Sequence, residues 1–175
     1  MDAHYDQVMR ARAQAAPGAR LYFGYSTVLD RAALEQWKQQ HGYGFFTLPS
    51  GLAAQALDVA PVFDFPSRFW AGRVLGLADA PGSIVHGLLF EVRGEDWPVV
   101  QHKEGAVTGM CVEREVRVRA NGVEQVATTF VTAPARRNTT GPVSAPFVEA
   151  LLRGLRDAAV PAEYVAEVQR LATST

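Results

Sequence analysis

The sequence predicts an α+β domain, or a closed antiparallel sheet flanked by helices, and three observations carry that expectation. Strand signals crowd the middle of the chain while amphipathic helical patterns close it. Cys111 to Arg119 alternates apolar and charged residues and is followed by Asn121-Gly122, the strongest short hairpin signal available. The chain has 175 residues, enough for one compact domain that buries about two-thirds of its unfolded surface without metal or disulfide staples.

Composition removes several classes. Seventeen Lys and Arg against 18 Asp and Glu give a net charge of −1, which lacks the basic footprint of a dedicated nucleic-acid binder. One cysteine, Cys111, cannot form an internal disulfide. The start, MDAHYDQ, has neither the basic opening nor the apolar stretch of a secretory signal. Apolar runs such as Ile84 to Phe90 fall far short of the roughly 20 residues that span a bilayer. The expectation is a cytoplasmic protein without a membrane segment.

Residues 2–16 are Ala-rich and predict a helix after Asp2 that stops at Pro17-Gly18, so residues 1–20 read as an N-terminal arm and 21–175 as the domain proper. Leu21 to Tyr25 is short, apolar and aromatic, as a buried strand is. Asp30 caps a helix through Gln40, with Leu34 and Trp37 on one face and Gly42 as its stop. Residues 42–68 predict loops and short strands, the best strand being ALDVAPVFDF, 56–65. Gly72 to Leu77 and Ser83 to Val92 read as a hairpin reversing at Ala80-Pro81-Gly82. Glu95 to Lys103 predicts a short helix with Pro98 in its first turn.

In the next strand Val112, Val116 and Val118 are expected on one face, with Glu113, Glu115, Arg117 and Arg119 on the other as a solvated row. The chain returns through Val123 to Thr132. Residues 133–146 predict an exposed, mobile loop able to lie over a site, with Arg136 and Arg137 on it as candidate carboxylate partners. Phe147, Leu151, Leu155 and Ala158 then mark one helix, and Pro161 opens a second with Tyr164, Val168 and Leu171.

Motif searching is mostly negative. GxGxxG, GxxxxGK[ST], GxSxG and HExxH are all absent. His4, His41, His86 and His102 are too scattered in sequence to suggest a zinc site, so neither metal nor cofactor is expected. His86, inside a strand, reads as a structural histidine, and Cys111, opening another, as a small buried hydrophobe. Glu104 differs by position. It follows the short helix in QHKEGAVTGM, where the negative end of the helix dipole disfavours an ionised carboxylate and should raise its pKa, as suits a group that takes and returns a proton. A surface Glu at a helix end is the bland alternative.

The order of these segments resembles the γ-glutamyl cyclotransferase family, including the γ-glutamylamine cyclotransferases. LYFGYSTVLD stands where the family has its LYFAYGSNL opening. FWAGRVLGLADAPGSIVHGLLFEV resembles its tryptophan and glycine-rich strand, and EDWPVVQHKEGAVTGMCVEREVRV its helix, Glu-Gly pair and Gly-Met turn. GPVSAPFVEALLRGLRDAAVPAEYVAEVQRLA resembles its paired terminal helices. Coverage runs from about Leu21 to Ala172.

The resemblance implies a small mixed β-barrel with flanking helices, a γ-glutamyl small-molecule substrate and no cofactor. It implies that Glu104 is the general acid/base for closing 5-oxoproline from a γ-glutamyl amide. It also implies that Tyr25, Ser26, Thr27, Val28 and Leu29 hold the glutamyl part through backbone N–H groups, a use of a helix-start nest by an anion. Arg73, after Trp70, and Phe130 join the implied site. Three departures stand out: Ser26 and Val28 replace the family's Gly and Asn, and Phe130 its late-strand Tyr. They leave open a member acting on another amide or ester, or a non-catalytic binding or interaction protein.

Overall fold

The computed structural model describes residues 2–174. Helix α1, Tyr5–Ala13, leads into strand β1, Ala19–Gly24, a 3-10 turn at Thr27–Leu29 and helix α2, Arg31–His41. Strands β2, Leu52–Ser67, and β3, Gly72–Arg93, follow, then a 3-10 turn at Gly94–Asp96 and helix α3, Trp97–Lys103. Strands β4, Cys111–Ala120, and β5, Val123–Thr132, precede helices α4, Ala145–Asp157, and α5, Ala162–Thr173.

The five strands close into a barrel in the order β1-β3-β2-β4-β5. All neighbours are antiparallel except β1 and β5, which meet in parallel at Tyr22 and Thr128. The sheet is therefore mixed, which decides between the two architectures left open by periodicity. Val85, Leu77, Val118, Phe23 and Phe130 are buried in one continuous core that also takes Phe147, Leu151 and Leu155 from α4.

The β4–β5 hairpin follows its sequence signal. Ala120 pairs with Val123, and Asn121 and Gly122 both have positive φ, 49° and 75°, as a type I′ turn requires. Glu113, Glu115, Arg117 and Arg119 form the expected solvated row, but Val112 is 42% exposed and Cys111, not Val112, is buried at the strand's start.

The other long pair corrects the sequence reading. Residues 72–93 are one strand, and Ala80-Pro81-Gly82 does not reverse the chain. Leu57 pairs with Ile84 and Val59 with Asp79, so four residues of β3 bulge opposite Asp58 alone. Asp58 takes a positive φ of 60° and its carboxylate accepts from the Gly82 N–H at 2.9 Å. A Pro-Gly pair makes a hairpin only when its flanks pair with each other; here both flanks pair with β2, which is far longer than 56–65 and turns into β3 at residues 68–71.

Four contacts set the geometry of the 25–29 segment. Asp30 caps α2 through Ala33 N and binds Arg153 of α4 at 3.0 Å. Gly154 of α4 lies so close that a Cβ there would sit 2.7 Å from Asp30 N. At the other end Gly24 gives way to Val28, whose Cγ1 would lie 2.6 Å from a Cβ on residue 24. The segment is thus clamped between β1 and α4.

Candidate functional site

A cavity of about 200 Å³ opens between the barrel and the helices. Tyr25, Ser26 and Thr27 line one side, Glu104 and Gly105 another, and Phe65, Cys111 and Phe130 come from the strands. Trp37, His41, His102 and Lys103 complete it from the ends of α2 and α3. Glu104 and the opening loop, some 75 residues apart in sequence by their numbering, share this one space.

Glu104 is the C-cap of α3, its N–H donating to Val100 O at 2.9 Å. The Tyr22 hydroxyl donates to Glu104 Oε1. Burial, then the adjacent Glu104 charge, pushes the Tyr22 phenol well above its ordinary pKa, so it stays a donor. The bond fixes one carboxylate oxygen and leaves Oε2 with no partner among the described residues. Tyr22 is held by a stacked Phe90 at 5.7 Å and an edge-on Phe130 at 5.9 Å.

In the opening loop, Leu29 N donates to Ser26 O, while the N–H groups of Ser26, Thr27 and Val28 find no acceptor among the described residues. Three free donors in succession at a helix start are what an anion would use. Ser26 has a negative φ of −117°, so it does not occupy the left-handed region that favours Gly. Val28 is buried and lines a small crevice together with Tyr22, Leu34, Phe46 and Glu104. Leu29 is buried against α4 and does not line the cavity.

Tyr25 presents its ring to the cavity while its hydroxyl donates to Phe130 O at 2.6 Å, tying the loop to β5. Phe130 itself stacks on Trp97 at 5.7 Å. Cys111 lines the wall, and burial, then Glu104, pushes its thiol far up, so it remains protonated. His86 lies in a different groove against Tyr164, and burial lowers its pKa.

Arg73 and the two loop arginines stand outside the cavity. The buried Arg73 guanidinium donates to Gly141 O at 2.8 Å and Phe63 O at 2.7 Å, tying the 133–146 loop to β2. That loop borders a separate groove with Arg136 and Arg137, rather than covering the cavity. Arg137 binds the buried Asp64 at 3.0 Å. Sequence reading overlooked Tyr22, Trp37, His41 and His102. The sequence reading ended this helix at Gln40, but α2 runs on to His41, where i, i+4 spacing sets it on the face of Trp37, and their rings stack at 4.7 Å.

A closed mixed barrel with a carboxylate at a helix C-cap facing a donor-rich loop defines a γ-glutamyl cyclotransferase-like fold. The chain superposes on a structure described as gamma-glutamyl cyclotransferase with a TM-score of 0.71, at 20% identity over 86% of each chain. It superposes on the human uncharacterized protein loc79017 with a TM-score of 0.70, at 21% identity over 87% of each chain. A yeast γ-glutamyl cyclotransferase specific to glutathione matches with a TM-score of 0.60, at 10% identity over 90% of this chain and 96% of that one. Residues 84–168 match the family model of the AIG2-like family. The partial family match and the superpositions agree with the resemblance read in the sequence: the fold is γ-glutamyl cyclotransferase-like. No curated protein sequence matches it. No helix among the described residues is long and apolar enough to cross a membrane.

Proposed function

We propose that this chain is a γ-glutamyl cyclotransferase-like enzyme, its domain being residues 21–175, that releases 5-oxoproline from a small γ-glutamyl amide. The observation that carries the reading is the meeting of the Glu104 carboxylate with the free N–H groups of Ser26 and Thr27 on one cavity. A space of about 200 Å³ suits a single amino-acid unit; drug-sized ligands occupy about 300–1,000 Å³.

In this reading the loop donors hold the glutamyl carboxylate and the substrate supplies its own nucleophile. The α-amino nitrogen attacks the γ-carbonyl carbon, forming the lactam C–N bond. Glu104 Oε2 takes the proton from that nitrogen and returns it to the leaving nitrogen as the original amide bond breaks. Tyr22 steadies the other oxygen throughout. No side-chain nucleophile is required, in keeping with a Cys111 thiol held protonated. Bending the glutamyl chain inside a closed space contributes orientation, worth up to about 7–11 kcal/mol in well-aligned intramolecular reactions.

Val28 and Phe130 favour a second reading, an enzyme of the same mechanism on a different amide or ester. Val28 offers no side-chain amide to a ligand, and Phe130 offers a ring without a hydroxyl. A panel of γ-glutamyl dipeptides, γ-glutamylamines and γ-glutamyl esters, with release of 5-oxoproline measured, separates the two. Turnover of a dipeptide or amine that disappears in Glu104→Gln supports the first reading, and turnover of esters alone the second. A ligand retained without product by the wild-type chain would make it a binding protein and end both.

A further inference from the structure

Three of the four histidines, scattered in the sequence, meet in space. His41 closes α2, His102 lies in the last turn of α3 and His4 precedes α1. The His102 ring is 5.4 Å from that of His41 and 5.5 Å from that of His4. Asp2 stands between two of them: its Oδ2 is 3.3 Å from His41 Nε2 and its Oδ1 is 3.7 Å from His102 Nε2. One donor atom from each of Asp2, His41 and His102 lies within 4.8 Å of the others. Metal bonds of about 2.0–2.1 Å in a tetrahedral shell put neighbouring donors about 3.3 Å apart, so small side-chain shifts would draw this triangle to that size.

The outer nitrogens are arranged as metal-binding imidazoles need. His41 Nδ1 is 2.8 Å from Trp37 O, a group that can only accept, so Nδ1 carries the hydrogen. In the neutral ring Nε2 then turns a lone pair towards the Asp2 carboxylate, a repulsive contact that a cation between them converts into attraction. His102 Nδ1 is 2.8 Å from the Tyr43 hydroxyl, which leaves its Nε2 facing Asp2 as well. The backbone N–H of His4 donates to Asp2 Oδ1 at 2.7 Å and orients the carboxylate. Outer partners of this kind hold metal ligands in place.

We propose that Asp2, His41 and His102 form a site for one divalent transition-metal ion, with zinc the best match to the donors. Two imidazoles and one carboxylate suit zinc and its neighbours, whereas magnesium and calcium favour oxygen ligands. Three protein ligands leave a fourth position for water. His41 and Asp2 are 18% and 16% exposed in their side chains, which gives an ion a path in. Bound there, the ion pins the N-terminal arm to the ends of α2 and α3. Since His41 and His102 also line the cavity, that clamp stiffens one of its walls. The site stands whether or not the cavity is a cyclotransferase centre.

The chain, purified without a histidine tag, is titrated with zinc against a chromophoric chelator, and the stoichiometry is read by native mass spectrometry. One zinc per chain is expected, with a rise in Tm on binding. Asp2→Ala and His41→Gln should each weaken binding at least tenfold, and His86→Gln, in the separate groove, should bind as the wild type does. Asp2 lies outside the barrel core, so its variant keeps the fold and isolates the ligand effect. Magnesium should give no shift in Tm. Equal zinc affinity in the wild type and Asp2→Ala, no binding by the wild type, or an equal loss in His86→Gln would overturn the proposal.

Discussion

The cavity has two walls built by different means. The barrel wall, with Tyr25, Cys111 and Phe130, is set by strand register, and Tyr22 behind it pairs with Phe90 on one side and Thr128 on the other. The helical wall, with Trp37, His41, His102 and Lys103, is set by where α2 and α3 end and by the arm packed against them. The first wall holds its polar groups by hydrogen bonds made inside the core, Tyr22 to Glu104 and Tyr25 to Phe130 O. The second gathers titratable groups from three separate segments around Asp2. Under the two proposals the contrast separates a wall that would serve proton transfer from one that would serve clamping, and Glu104, at the end of α3, stands where the two join.

The sharpest test of that division is Glu104→Gln. If the barrel wall carries the chemistry, 5-oxoproline release by this variant falls about a hundred- to ten-thousand-fold, the usual worth of a general acid/base, while Tm changes little. Tyr22→Phe comes next. Its loss frees Glu104 Oε1, and turnover should drop about tenfold in kcat with KM nearly unchanged, since Tyr22 positions the carboxylate rather than the substrate.

Gly87→Ala probes how rigidly register holds the barrel wall. A Cβ there would lie 2.3 Å from Gly24 O, a backbone atom, so β1 and β3 must part beside the loop. Urea unfolding should show a loss of about 1–3 kcal/mol, the usual cost of overpacking. Ser26→Gly should cost less, about 0.4–1 kcal/mol, through the greater freedom of the unfolded chain, because Ser26 already occupies an ordinary φ. The smallest effect is expected at Cys111. With burial raising its thiol, alkylation of the native chain at neutral pH should be far slower than in urea, as a mass-spectrometric time course would show.

Legibility in the sequence differed between the walls for a physical reason. The β4–β5 hairpin was readable because Asn-Gly and strict alternation are local signals, and the α2 cap because Asp30 and Gly42 act within one turn. Residues 80–82 misled because Pro-Gly marks a break in a strand's geometry without saying whether the chain reverses or bulges. Glu104 stood out by its place at a helix end, but its role, and the whole of residues 25–29, came only from the resemblance to a family. Nothing within their own segments shows that they face one another. The histidines were passed over because spacing along the chain is a guide to metal sites only when the ligands share an element.

The sequence by itself determined the elements whose causes are local: the capped helices, the type I′ hairpin, the amphipathic α4 and the absence of any basic surface charge excess. Tertiary structure alone decided the closure of β1 against β5, the continuous β3 and the crevice that Val28 shares with Glu104. It also decided the meeting of Asp2 with His41 and His102. These depend on register and on helix ends brought together by burial of a shared core, and a residue's neighbours in space are set by that packing rather than by its neighbours in the chain.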